Sequence, residues 1–315
     1  MRTKTPRPLW GAAAAGVLIA LTATTGLTPA AAQPAPPAAV QPADEAAPAA
    51  AQVLEITSSA TGLSVPATAR PGVTTFRVTT TDPGSGWVSL VRPKPGVTFE
   101  EFRSSLLKII NHTGPDIIQG SAELRERAEL IGGTVIHPNL PASFTKTLEP
   151  GTYWYFDYQS IRDANPRHGV IDVSGRRSTG PAPVPSAVLT GRMVGGEPRW
   201  DLDGTVRAGR PVLFRNAMPK DQNIEAIFFR LADDVTEEDL KAYIAEFSDN
   251  GQFPDHSGAL DLEQGTGGLP MNSGQSSLLE LSFQPGRYAV VDFFVDAKEG
   301  TIFIKRGHWK IFEVK

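Results

Sequence analysis

From residue 53 onward, short runs of apolar and polar residues in alternation dominate the chain, and they predict strands. VTTFRVTT, WVSLVR, SFTKTLEP and GTYWYFDY have counterparts in RPVLFRN, EAIFFRL, LLELSFQP and GRYAVVDFF, all β-branched or aromatic runs bounded by Gly, Pro, Asn or Asp. Two segments carry a helical period instead. In VTFEEFRSSLLKII, the side chains of Phe99, Phe102, Leu106 and Ile109 share one face, and in VTEEDLKAYIAEF those of Leu240, Ile244 and Phe247 do. Each opens on a capping pattern, Thr98 with Glu101 and Thr236 with Asp239, behind a valine (Val97, Val235) that can staple the first turn. The pattern predicts two β-sandwiches, each with one inserted helix laid apolar face down.

The two sets of elements are copies of one unit. Phe76, Arg92, Val97, Thr98, Phe102, Leu106 and Ile109 face Phe214, Arg230, Val235, Thr236, Leu240, Ile244 and Phe247, always 138 residues later. Gly132-Gly133, Pro150-Gly151, Tyr153 and Asp157 face Gly267-Gly268, Pro285-Gly286, Tyr288 and Asp292 at an offset of 135. A loop between the blocks absorbs the difference. The Pro-rich run RRSTGPAPVPSA separates the copies, so 53–175 is read as domain 1, 176–185 as linker and 186–315 as domain 2.

The first 32 residues read as a secretory signal peptide. Arg2, Lys4 and Arg7 precede an apolar stretch from Leu9 to Leu27, and Ala30-Ala31-Ala32 before Gln33 forms a cleavage site; an uncleaved anchor is the alternative. Residues 33–52, QPAPPAAVQPADEAAPAAAQ, bury almost nothing and read as a disordered or polyproline-like spacer. The expected location is therefore secreted, either extracellular or associated with the cell wall, with no membrane span after signal cleavage. Removing the leader's three basic residues leaves 27 Lys and Arg against 34 Asp and Glu, a net charge of −7 that argues against nucleic acid as a partner. The absence of cysteine excludes disulfides, thiolate nucleophiles and thiolate metal sites.

The order of strand, Arg-Pro or Arg-Leu turn, inserted helix, Gly-Gly loop, L-x-P-G-x-Y-x-x-x-D and closing strand resembles the cupredoxin-like fold over 53–175 and 186–315. PGTYWYFD and PGRYAVVD are similar to that family's P-G-x-Y-x-x-x-C strand, which leads into a copper loop. The resemblance implies an all-β fold, two tandem cupredoxin-like Greek-key β-sandwiches. It also implies where copper ligands would stand. Asp157 and Asp292 occupy the cysteine position, the upstream strands offer Ser85 to Trp87 and Asn223 to Glu225 in place of histidine, and near the methionine position stand His168 and His308. Without the thiolate and two imidazoles, blue-copper electron transfer is excluded on ligand grounds, and no cofactor is expected.

Four residues remain as candidates: Asp157 with His168, and Asp292 with His308. They could form a hard-ligand metal site, though two ligands per copy fall short of the three a zinc-like site needs. A carboxylate orienting an imidazole for proton transfer would be a catalytic reading, but no nucleophile accompanies it. The plainest reading is that the aspartates bond the loop and the histidines edge the solvent. His112, His137 and His256 read as loop residues, Asp201 and Asp203 as turn caps, and Asn111-His112-Thr113 as a glycosylation acceptor by composition. No G-x-S-x-G, H-E-x-x-H, G-x-G-x-x-G or P-loop occurs.

The run from Thr152 to Tyr158 is aromatic on both faces, Tyr153 and Tyr155 on one, Trp154, Phe156 and Tyr158 on the other. One set needs cover. Either it packs under the helix or the second domain, or Trp154, Phe156 and Tyr158 form an exposed platform for cell-wall polysaccharide or another extracellular protein. The expectation is a secreted, non-enzymatic binding or structural module of two copper-free cupredoxin-like domains. The rival expectation is an extracellular metal-binding or metal-handling protein that uses the loop Asp and His residues.

Overall fold

Burial along the strands sorts them into two kinds. Strands β1 (Gln52–Ser59) and β4 (Gly72–Thr80) bury alternate residues, Leu54, Ile56 and Ser58 in the first, Thr74, Phe76 and Val78 in the second. Such strands have one wet face. By contrast β5 (Gly86–Pro93), β6 (Ala128–Ile136) and β8 (Gly151–Asp157) are buried on both faces, which requires a layer on each side. The remaining strands of the first half are β2 (Gly62–Ser64), β3 (Thr68–Ala69), β7 (Ala142–Leu148) and β9 (His168–Val173). The second half contains β10 (Ala187–Val194), β11 (Glu197–Gly204), β12 (Val212–Asn216), β13 (Asn223–Arg230), β14 (Thr266–Asn272), β15 (Ser276–Glu280), β16 (Gly286–Val291) and β17 (Trp309–Val314). This computed structural model describes residues 51–110, 114–138, 140–249, 252–256 and 258–315. The signal sequence, all but the last two residues of the spacer, and the Asn111-His112-Thr113 acceptor lie outside the described residues.

The strands form two sheets, ordered β11-β10-β12-β15-β7-β4-β1-β2 and β17-β16-β13-β14-β6-β5-β8-β9-β3. Within each half the order repeats: β2-β1-β4-β7 against β6-β5-β8-β9, and β11-β10-β12-β15 against β14-β13-β16-β17. In both halves the first strand runs parallel to its partner on one side, β1 with β4 and β10 with β12, and the remaining long-strand pairs of that half are antiparallel. That is the cupredoxin-like Greek-key order, present twice. The fold is all-β in its sheets, as the resemblance implied.

The halves are joined edge to edge. β7 pairs β15 through Phe144 and Leu279, and β6 pairs β14 through Thr134 and Gly268, so both sheets run unbroken across the boundary and residues 51–315 belong to one compact unit. Here the structure departs from the expected Gly-Gly loop. Gly132-Gly133 and Gly267-Gly268 lie inside β6 and β14, where a Cβ on Gly133 would meet the Val88 carbonyl oxygen at 2.1 Å and one on Gly267 the Ala226 carbonyl oxygen at 2.1 Å. Glycine serves close backbone approach at these positions. The linker is also anchored at its start, because the buried Ser178 donates its N–H to the Pro71 carbonyl at 2.7 Å.

Between the sheets, Phe76 stacks on Phe144 at 4.7 Å within a core that includes Tyr153, Tyr155, Phe214 and Phe228. A second core lies on the far side of the nine-stranded sheet, where helices cover it. Helix α1 (Phe99–Ile110) buries Phe102, Leu106 and Ile109, and the Thr98–Glu101 capping box closes its start. A further helix, α2 (Gly114–Arg127), follows in the first half, so the expectation of one inserted helix per copy is corrected there. It docks on α1 through Ile117, Gly120 and Leu124, so closely that a Cβ on Gly120 would lie 2.7 Å from the Lys108 Cβ. In the second half α3 (Glu237–Glu246) is capped by Thr236 and Asp239 and buries Leu240, Tyr243 and Ile244. None of the helices among the described residues is long and apolar enough to cross a membrane.

Candidate functional site

Strand β8 delivers Asp157 to the end of the first sandwich, and β16 delivers Asp292, one residue past its end, to the same place in the second. Both carboxyls are fully buried, but they have different partners.

Asp157 meets Arg167, not His168. Arg167 Nη2 sits 3.0 Å from Asp157 Oδ2, the Ser58 hydroxyl donates to the same oxygen at 3.2 Å, and the Gln159 N–H donates to Oδ1 at 3.0 Å. Arg167 also bonds the Ser59 carbonyl and lies 3.2 Å from Asp82. Burial pushes the Asp157 carboxyl above the usual carboxylate range, and the bonds from Gln159, Arg167 and Ser58 oppose that push. His168, expected beside Asp157, is instead exposed: its ring lies flat on Phe99 at 3.7 Å and its Nδ1 bonds the Pro166 carbonyl at 2.9 Å. The pairing fails for a reason of strand alternation. Arg167 and His168 are neighbours, so only one can face the loop carboxylate.

In the second half the expected pair forms. His308 Nδ1 lies 2.8 Å from Asp292 Oδ2, and both residues are fully buried. The imidazole stacks on Trp200 at 4.0 Å, and Gly191 leaves room for it: a Cβ there would lie 3.2 Å from the His308 ring. Asp292 Oδ1 accepts the N–H groups of Phe294 at 2.9 Å and Glu225 at 3.3 Å. Burial lowers the His308 imidazole to about 3 and raises Asp292 well above the usual range, so the pair holds one shared proton with no net charge. His308 Nε2 has no hydrogen-bond partner among the described residues, and no part of the ring reaches solvent. Such an imidazole packs a core.

Glu225 is the group that reading the sequence did not nominate. It stands at the upstream-strand position, is almost fully buried, and its carboxyl is raised well above the ordinary value by burial first and by Asp292 second. Its first-half equivalent, Trp87, presents its backbone N–H to Asp157 as Glu225 does to Asp292. An acid inside the apolar run NIEAIFF was the available signal. Among the described residues no group of three or more His, Cys, Asp or Glu side chains is placed to hold a metal ion.

The aromatic platform is corrected. Trp154 is 8% and Phe156 0% exposed, because Phe99 and Phe102 of α1 cover them at ring separations of 5.3 to 6.4 Å. Tyr158 packs on Phe156 at 4.7 Å with its hydroxyl buried. Burying rings of this size contributes about 2 to 3 kcal/mol each to stability, and the basis for a polysaccharide platform on this strand is gone. The remaining candidates are structural: Asp201 pairs Arg192 on paired strands, His137 Nε2 bonds the Gly265 carbonyl across the halves at 2.6 Å, and His256 pairs Glu246.

No family model matches the sequence, and no curated protein matches it. Solved structures do. A multicopper oxidase is 14% identical over 84% of this chain and 88% of its own, with a TM-score of 0.23. The auracyanin of the photosynthetic bacterium Roseiflexus castenholzii is 18% identical over 42% of this chain and 99% of its own, with a TM-score of 0.24. A copper nitrite reductase from Nitrosomonas europaea is 13% identical over 84% of this chain and 93% of its own, with a TM-score of 0.23. The doubled strand order described above, and not these distant likenesses, is what makes each half of this chain cupredoxin-like.

Proposed function

We propose that this chain is a secreted, non-enzymatic binding or structural module in which the loop ends of two cupredoxin-like sandwiches hold internal hydrogen-bonded pairs where copper proteins of this fold hold metal. One observation carries the reading: Arg167, a permanent cation that no metal accepts as a ligand, fills the place opposite Asp157. In the second half Asp292 is committed to His308 and to two backbone N–H groups. Neither loop leaves a carboxylate and an imidazole open to solvent together. A catalytic role for Asp157 with His168 lacks both contact and nucleophile.

Calorimetry of the mature protein with copper(II) and zinc(II) ions tests the proposal. The expected outcome is no heat at stoichiometric metal. A one-to-one heat that disappears in His308→Ala would replace it with the metal-handling reading. Secretion is tested by N-terminal sequencing of the exported protein, which should begin at Gln33.

A further inference from the structure

Lys146 of β7 is buried at the joint between the halves, where its Nζ bonds two neutral oxygens of the second half, the Ser276 carbonyl at 2.6 Å and Gln275 Oε1 at 3.3 Å. The carboxamide it touches is held on its other side. Gln275 Nε2 donates to Glu129 Oε1 of β6, so the amide oxygen faces the amine and the amide nitrogen faces the acid. The flipped orientation would set donor against donor and acceptor against acceptor. The Gln275 backbone is pinned as well, its N–H donating to the Asn272 carbonyl at 3.1 Å and its carbonyl accepting from the Asn216 N–H at 3.0 Å. Amine, carboxamide and carboxyl group therefore stand in sequence, supplied by β7, the turn between β14 and β15, and β6. Burial lowers the Lys146 ammonium from 10.5 to about 7, against the pull of Glu129, and so favours the uncharged amine, which is the nucleophile.

We propose that Lys146 and Gln275 condense into an isopeptide cross-link between the two halves, with the Glu129 carboxyl group carrying the proton. The atoms are already in place, because Nζ contacts the oxygen one bond away from the carbon it must attack. The Nζ lone pair forms the bond to Gln275 Cδ, and the Cδ–Nε2 bond breaks with its electron pair going to Nε2. One Nζ proton passes through the Glu129 carboxyl group to Nε2, which leaves as ammonia. Neither oxidant nor co-reactant is needed. Glu129 is half-buried and lines an open cleft beside Arg92 and Trp154, which gives the ammonia a way out. The product would tie positions 129 residues apart in a chain without cysteine, and it would constrain the unfolded chain as a disulfide does. Lys146 titrates as a free amine only in chains that have not reacted.

Peptide mapping of the mature protein, held above neutral pH after folding, tests the proposal. Each cross-linked chain should be lighter by about 17 Da, the mass of ammonia. An N-terminal glutamine that cyclises loses the same mass, so the map must locate the change. The expected product is a branched tryptic peptide joining residues 128–162 to 242–287, uncut at Lys146 and growing with time. Gln275→Met, which has no electrophilic carbon, should abolish it, and Glu129→Gln should slow its formation about 100-fold. A folded parent that yields no branched peptide, with trypsin cutting fully at Lys146, overturns the proposal. Formation at the parent's rate in Glu129→Gln overturns the role given to that carboxyl group. Should either variant misfold, the map of the parent decides alone. The metal calorimetry is unaffected by either result.

Discussion

Arg167 and His308 occupy the same structural position. Phe156 pairs with His168 in the first half and Val291 with Trp309 in the second, so the residue before each partner, Arg167 or His308, faces the aspartate that ends β8 or comes just after β16. One unit thus carries two solutions to the same problem, how to bury a loop carboxylate: an ion pair in one copy, a shared proton in the other. The choice tracks the surroundings. Arg167 is 12% exposed and serves Ser59 and Asp82 as well, whereas His308 is wrapped by Trp200 and Phe303.

Arg167→Met should therefore destabilise the protein by about 3–5 kcal/mol, because it strands a buried carboxylate. Adding Asp157→Asn removes that stranded charge and should recover part of the loss. Guanidinium unfolding of the two single variants and the double variant measures the coupling. A loss under about 1 kcal/mol for Arg167→Met would mean that Asp157 is protonated and needs no cation.

Those features that rest on local rules were legible in the sequence. Both capping boxes and the buried faces of α1 and α3 follow from spacing alone. Arg167 escaped because a histidine was sought by type; the strand ends Val173 and Val314 lie 141 residues apart, and that offset carries His308 onto Arg167. Helix α2 was not read from the sequence: Gly114, Pro115 and Gly120 are residue types that ordinarily interrupt helices, although proline suits a first helical turn and Gly120 permits the close approach to α1. The Gly-Gly pairs read as a loop because glycine signals a turn and a tight contact alike. Cover for Trp154 and Phe156 depends on a third layer, which strand periodicity cannot reveal.

Glu225 makes stability depend on pH. Its folded carboxyl holds a proton to higher pH than in the unfolded chain, so its contribution is complete below the ordinary carboxylate value and is lost as pH rises above it. Glu225→Gln should melt close to the parent near pH 4 and exceed it increasingly toward pH 9, at up to about 1.4 kcal/mol per pH unit. Melting scans across that range check the sign. A parent that gains on the variant as pH rises would contradict the assignment.

Lys146 has the opposite slope. It is buried between the halves, donates to the Ser276 carbonyl at 2.6 Å and to Gln275 Oε1 at 3.3 Å, and burial lowers its ammonium from 10.5 to about 7. Between those values the unfolded chain holds the proton that the folded chain releases, so stability from this group rises with pH from about 7 toward 10.5. Lys146→Met removes the cost of burying the cation and should stabilise the protein by about 1–3 kcal/mol at pH 6, with less gain at pH 9. Equal gain at both values would mean that the ammonium is already compensated, with Glu129 the charge nearest to hand.

The paired edges make a prediction about the separated halves. β14 and β15 are edge strands of the second half, and in the intact chain β6 and β7 cover them. Residues 186–315 expressed alone would present two unpaired edges at once, and the Gly267-Gly268 stretch offers no side chain to block another strand. The fragment should therefore dimerise or aggregate through these edges, as size-exclusion chromatography with light scattering would report. Replacing Ser277 and Leu279 does not address this, since both are buried. Glu280→Pro, at the end of β15 where it faces Ser143 in the intact chain, should shift the fragment toward monomer by removing an edge N–H. A fragment that is monomeric at high concentration without that change would show that the second sandwich closes its own edge, and that the continuous sheets are a consequence of packing and not a requirement of the fold.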